Sequence, residues 1–305
     1  MYLFKKSYFV LLLLLPMIAI GQAESIFNGI QLNDSEASVT KKLKEISEKT
    51  KLVTVNDPIF PLAKTTESHL LCNTVITQKG TIENVIFTFA DDKLCYIEAR
   101  GNVVKPFTAH RKDTARNYMD YEVYVKDKLF VTKKEDVIRI TTKEAMHTNL
   151  FMWSNPYMNS NYNAERKPNS TNEIPSFLKM GETLEDLRST LEANSLFTSE
   201  EKLDGSDPNA QFQLNCFGVD YIGFPRKIEA RFGDGRLNVV WILTAKGEED
   251  RIRKALILQY GKPIFVDETW EVFNNWQVAL RKDKPEVLLM QQQIGLDYKT
   301  NYFKQ

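Results

Sequence analysis

Cysteine and histidine are scarce: three of each in 305 residues. Three Cys cannot build a disulfide framework, and any single pairing leaves a thiol over. Charge of one sign is missing too, since 40 basic residues stand against 40 acidic ones. That balance excludes the surplus of Lys and Arg with which a strongly basic nucleic-acid binder neutralises phosphates. With 13 Gly, 11 Pro and 43% hydrophobic residues, the chain has neither a fibrous bias nor the composition of disorder. It also lacks a Gly-x-Ser-x-Gly elbow, a Gly-rich phosphate loop ending in Lys-Ser/Thr, and a His-Glu-x-x-His helix. No hydrolase or zinc-protease signature is left, and neither catalysis nor a cofactor is expected.

What is present begins with a targeting pattern. Residues Met1 to Ala23 run from a basic start (Lys5, Lys6) through an apolar stretch, Phe9 to Ile20, to the small-residue exit Gly21-Gln22-Ala23. This is the pattern of a secretory signal peptide. The apolar stretch is about a dozen residues, short of the roughly 20 that span a bilayer. Its removal takes away Lys5 and Lys6 and leaves 38 basic residues against 40 acidic ones. A soluble, nearly neutral protein outside the cytoplasm is expected, without an integral membrane segment. The bacterial periplasm is the preferred compartment and secretion the alternative, in which the sequon Asn169-Ser170-Thr171 would matter.

The stretch poorest in periodic hydrophobics is 155–175, rich in Asn, Ser, Pro and Thr, and it reads as a linker between units 24–154 and 176–305. The two halves align. Ile30-Gln31-Leu32-Asn33-Asp34-Ser35 lies against Leu178-Lys179-Met180-Gly181-Glu182-Thr183, with Ser35 and Thr183 as helix N-caps. The apolar stripes that follow are Val39, Leu43 and Ile46 in one copy and Leu184, Leu187 and Leu191 in the other. Cys72 matches Cys216, Val85 matches Ile228, and Phe89, Asp91 and Leu94 match Phe232, Asp234 and Leu237 around a hairpin turn.

A second helix is expected over Thr114 to Lys126 and over Glu248 to Tyr260, with Phe130-Val131 matching Phe265-Val266 beyond it. Extended segments are expected at Val137 to Thr141 and Asn149 to Trp153, and at Trp270 to Asn274, Trp276 to Arg281 and Glu286 to Gln291. Each unit thus reads as α+β, a tandem duplication of a unit with helices packed on an antiparallel sheet.

The Gly29 to Ser35 segment with Val39 and Leu43, the Cys72 strand and the Phe89 to Leu94 hairpin resemble small bacterial envelope domains. These are the domains grouped with the outer-membrane assembly lipoprotein SmpA/OmlA and the beta-lactamase inhibitory protein. Met180-Gly181-Glu182-Thr183 and Tyr260-Gly261-Lys262-Pro263 followed by Trp270 are similar to the same group. The resemblance implies helices on an antiparallel sheet, and binding of a protein partner rather than catalysis. The chain departs from the pattern in having no Cys near the exit of its leader and in the length of each unit. No functional residue is carried over.

His69, His110 and His147 are scattered over the first half and read as ordinary rather than metal-ligating residues. His69 and Cys72 stand an odd number of residues apart, which puts them on opposite faces of a regular strand. In an oxidising compartment Cys72 and Cys95 could pair. If their strands flank the one at Ile82 to Phe89, they stand about two strand spacings apart, beyond disulfide reach.

Aromatic residues are the remaining signal: Phe151, Trp153, Tyr157 and Tyr162 at the end of the first half, Trp270, Phe273 and Trp276 in the second. Exposed, they would form a binding surface. Alternation places Phe151 and Trp153 on one face, which suits a sheet core equally, so Tyr157 and Tyr162 are the better surface candidates. The expectation is an exported, non-catalytic module that binds an envelope protein. The alternative is a small apolar or glycan ligand in a cleft between the units, held by the rings near Tyr157 and Trp270.

Overall fold

The computed structural model describes residues 24, 26–109, 111, 114–132, 134–158 and 173–303. The expected leader, residues 1–23, most of the expected linker, and Tyr162 and His110 lie outside them. Among the described residues no helix is long and apolar enough to cross a membrane.

The first unit opens with helix α1 (Glu36–Leu43), and four strands follow: β1 (Ser47–Val55), β2 (Glu67–Thr77), β3 (Gly80–Ala90) and β4 (Lys93–Arg100). A short helix α2 (Val104–Thr108) leads to β5 (Arg116–Tyr118), β6 (Tyr121–Tyr124), β7 (Leu129–Thr132) and β8 (Val137–Thr141), and then to α3 (Lys143–His147). The second unit repeats the order: α4 (Leu184–Ala193), then β9 (Phe197–Lys202), β10 (Phe212–Tyr221), β11 (Phe224–Gly233) and β12 (Arg236–Leu243). After α5 (Glu249–Tyr260) come β13 (Phe265–Val266), β14 (Trp270–Phe273), β15 (Val278–Arg281), β16 (Glu286–Met290) and α6 (Gln292–Asn301).

Each unit is dominated by one eight-stranded antiparallel sheet. The orders are β1-β2-β3-β4-β8-β7-β6-β5 and β13-β14-β15-β16-β12-β11-β10-β9, which are the same order read from opposite edges. The expected α+β class is therefore corrected to a mostly-β fold of two similar sheet units with few helices. Part of the reason lies at Thr114 to Lys126. Tyr118, Tyr121 and Val125 have helical spacing, yet aromatic and β-branched side chains also suit a pleated surface, and the segment forms β5 and β6. Asn149 to Trp153, expected as extended, is instead a 3-10 turn over Leu150–Met152, entered through Asn149 at positive φ. Phe130-Val131 lies in β7 and Phe265-Val266 in β13, which hold different places in their sheets, so that match fails.

The local matches hold in detail. Ser35 and Thr183 each accept an amide three residues on, at Ser38 and Asp186, and satisfy a first-turn donor. Before each cap the chain pairs with the fourth strand. Asn33 N donates to Leu94 O and Leu94 N to Asp34 O, as Gly181 N donates to Leu237 O and Leu237 N to Glu182 O. Asn33 and Gly181 both sit at positive φ. Phe89 pairs Leu94 and Phe232 pairs Leu237, each just past a register shift, and Cys72 and Cys216 pair with Val85 and Ile228. The hairpin turns Asp91-Asp92 and Asp234-Gly235 place both central residues at positive φ, the type I′ geometry that matches strand twist.

One face of each sheet carries the larger core. In the first unit Leu70, Cys72, Val85, Phe87, Ile97 and Ile138 pack with Val39 and Leu43 of α1 and Phe107 of α2. In the second, Leu214, Cys216, Ile228, Ala230, Ile242 and Leu289 pack with Leu187 and Leu191 of α4 and Ile252 and Leu256 of α5. The opposite face is covered in each unit by the chain that follows the last strand. In the second unit this is α6 and Phe303, packed on Trp241, Trp270, Trp276 and Met290. The approach is so close that a Cβ at Gly295 would stand inside van der Waals contact of the Trp276 carbonyl oxygen. Trp276 is itself held at φ 68°, and Lys299 lies 5.2 Å over its ring. Replacing Gly295 with Ala should force α6 off the sheet and cost about 1–3 kcal/mol, the usual penalty of overpacking. Denaturant unfolding followed by Trp fluorescence measures it, and an unchanged midpoint would show that α6 is not seated this way.

Candidate functional site: a groove between the two units

The site rests on a polar network buried on the face of the first sheet opposite its main core. His69 on β2 bonds Glu67 (Nε2 to Oε1, 2.8 Å) and approaches Thr88 and Asn155 through Nδ1, both at 3.1 Å. Glu98 on β4 accepts from the Asn155 amide at 2.8 Å and from the Tyr96 hydroxyl at 3.0 Å. Tyr96 also donates to the Trp153 carbonyl at 2.6 Å, and Arg139 donates to the same oxygen at 3.0 Å. The second Glu67 oxygen accepts from the amides of Ile59 (2.7 Å) and Phe60 (2.8 Å). Burial pulls the Glu67 carboxyl upward, but His69 and these amides outweigh it and hold it below the usual range. His69 and Glu67 are each 1% exposed. The pair therefore acts as a clasp, fastening the segments around Phe60 and Trp153 to the sheet.

Those two residues form the seat for the second unit. Trp153 packs against Phe60 (5.3 Å between ring centroids), Tyr96 (5.3 Å) and Phe224 of β11 (5.7 Å). Phe224 leaves a tight turn in which Ile222 and Gly223 both have positive φ, an unusual conformation for a β-branched residue. Behind it Arg226, fully buried, makes a bidentate pair with Glu248 at 2.7 and 2.9 Å and donates to the Tyr221 carbonyl. Arg251 bonds both Glu248 and the carbonyl of Ile59, so the ionic cluster reaches from one unit into the other. A second contact joins Phe151, Tyr121 and Phe130 of the first unit to Phe217 and Phe197 of the second.

Beside this joint lies an open groove of about 740 Å³ walled by both units. Lys64, Lys93, Glu144 and His147 line it from the first unit, and Thr244 and Lys246 from the second. Buried Ala90 and Cys95, with half-buried Leu62 and Pro285, add apolar lining. Lys64 reaches across the units, its Cε close to where a Cβ would stand on Gly247. Asp91 also lines the groove, but its carboxylate is occupied: the amides of Lys64, Thr65 and Thr66 and the Thr65 hydroxyl all donate to it. Partial burial opposes ionisation, yet these donors hold its pKa near about 2 instead of 3.8. Thr244 is 4% exposed, and its hydroxyl has no hydrogen-bond partner among the described residues.

Four of the six aromatic residues expected as a possible binding surface are buried. Phe151, Trp153, Trp270 and Trp276 are buried at 4–7% exposure: Phe151 and Trp153 lie on the chain that leaves the first sheet and pack back against it, while α6 and Phe303 cover Trp270 and Trp276. Tyr157 is half-buried against His69, and Tyr162 lies outside the described residues. The Cys72–Cys95 disulfide does not form: all three cysteines are free and buried. Cys72 and Cys95 lie on strands that flank β3, and their side chains join different clusters, so no bridge fits. Burial pushes the Cys72 thiol up to about 12, Cys216 up to about 11 and Cys95 upward as well, which removes the thiolate a nucleophile needs. His69 stands on the face opposite Cys72, as their odd spacing requires. Among the described residues no group of His, Cys, Asp and Glu could hold a metal ion.

In comparisons with known proteins, no family model, curated protein or solved structure matches the chain.

Two outcomes test this geometry. Arg226→Met should destabilise the protein by about 3–5 kcal/mol, because Glu248 stays buried with its bidentate partner gone. Replacing both residues with Met should restore most of that loss in denaturant unfolding; a double variant as unstable as the single one would refute the pairing. For Asp91 the stabilisation is complete above its unfolded pKa of 3.8 and is lost as pH falls toward about 2. Asp91→Asn should therefore be less stable than the parent at neutral pH, with the gap closing over that acid interval. A gap that does not change with pH would show that the carboxylate charge is not what holds the loop.

Proposed function

We propose that the chain is an exported, non-catalytic module that binds a protein partner in the cell envelope, with the inter-unit groove as its binding surface. The observation that carries this reading is the concave surface built by both units beside a joint that fixes them together. The leader pattern of residues 1–23 supports export, to the periplasm in preference to secretion. The resemblance of the cap and hairpin segments to envelope binding domains supports a protein ligand. The alternative of an apolar or glycan ligand held by aromatic rings loses its motive, since no Phe, Tyr or Trp lines the groove.

Photo-crosslinking in the native host tests the proposal. A photoreactive residue at position 93 or 246, inside the groove, should trap a discrete partner. The same residue at position 202, at the exposed end of strand β9, should trap none. Products of equal yield from all three positions, or from none, would overturn the assignment.

A further inference from the structure

Within the groove, polar and apolar groups are arranged for a particular ligand chemistry. Lys64, Lys93 and Lys246 come from three separate segments, all are exposed, and none is paired with a carboxylate among the described residues. They outnumber the carboxylates that share the lining, Glu144 and Asp91, and the Asp91 oxygens are already taken by the Lys64–Thr66 loop. Thr244 supplies an independent observation. Its side chain is almost wholly buried, lines the groove, and carries a hydroxyl without a partner among the described residues. A buried hydroxyl left unsatisfied is destabilising, and at this position an acceptor brought by a ligand would relieve it.

The remaining lining narrows the ligand's size and character. A volume of about 740 Å³ far exceeds a single inorganic anion, and Leu62, Ala90, Cys95 and Pro285 give it apolar wall. Ammonium groups set around apolar lining fit a chain that alternates carboxylates with apolar side chains.

We infer that the groove recognises an acidic peptide segment, with Lys64, Lys93 and Lys246 pairing its carboxylates and the Thr244 hydroxyl donating to one of its oxygens. The inference rests on the preceding reading of the groove as a protein-binding surface and specifies which partner segment enters it. No covalent step is involved. The lysines act as point charges on flexible stems, so charge pattern governs affinity more than residue order.

Fluorescence anisotropy on the purified protein tests it, with a labelled peptide of alternating Glu and Leu, the matching Gln and Leu peptide, and inorganic phosphate as competitor. The acidic peptide should bind saturably and weaken as salt is raised, and the Gln peptide should bind at least about tenfold less tightly. Lys93→Glu and Lys246→Glu should each reduce affinity by about tenfold while leaving circular dichroism and the unfolding midpoint unchanged. Thr244→Val separates a ligand donor from a packing defect: it should hold or raise the unfolding midpoint and still weaken the peptide. Four results would overturn the inference: no saturable binding of the acidic peptide, equal binding of the Gln peptide, full displacement by phosphate at equal concentration, or an unchanged affinity in Thr244→Val. Position-specific crosslinks at 93 and 246 with no acidic-peptide binding would leave the protein-binding reading standing and remove only the acidic segment.

Discussion

The contact of Phe224 with Trp153 and Phe60 is the constraint on which the rest of the molecule depends. Two sheets of the same order would otherwise be independent domains joined through the chain around residues 155–175, and no surface between them would be defined. Each partner in the contact is held by something else. Phe60 and Trp153 are fastened by the Glu67–His69–Asn155–Glu98 network, and Phe224 by the Ile222-Gly223 turn and the Arg226–Glu248 pair. Arg251 then adds a charged bond from the second unit to the backbone of the first. Breaking such a buried pair is expensive even where forming it contributes little, so the cluster specifies an arrangement more than it adds stability.

The same logic explains why a mostly-β pair of units carries so many buried polar residues. Glu67, Glu98, Arg139, Arg226 and Glu248 are all nearly inaccessible, and each has polar partners within hydrogen-bond distance. They lie where loops and units are fastened to sheets, while the main core of each sheet stays almost wholly apolar. A buried His–Glu pair resembles catalytic apparatus, yet here both lobes of the imidazole are committed to neighbours and the carboxylate to two amides.

Much of the local structure was legible in the sequence, because it depends on short-range chemistry. Ser35 and Thr183 announce helix starts through their hydroxyls, and Asp91-Asp92 and Asp234-Gly235 announce tight turns. The match of Cys72 with Cys216 follows from a shared core position beside Val85 and Ile228. The fold class was misread where spacing is ambiguous: Tyr118, Tyr121 and Val125 fit a helix, but pairing of β5 with β6 and of β6 with β7 makes strands of the segment up to Tyr124. Burial of Trp270 and Trp276 was hidden because α6, which covers them, is a later segment that seats Ile294 and the close approach at Gly295 on the sheet. The groove had no sequence signal at all. Lys64, Lys93, Thr244 and Lys246 are ordinary residues in unrelated segments, and only the joint between the units brings them together.

The central claim is that this joint holds the two units in one fixed arrangement. Its most direct test is the distance between spin labels on exposed Glu48 of β1 and exposed Glu268 before β14, each replaced by Cys, with the three buried native thiols left in place. The account predicts one narrow distance distribution that broadens when Phe224 is replaced by Ala. A broad or multiple distribution in the parent, unchanged by that substitution, would contradict it.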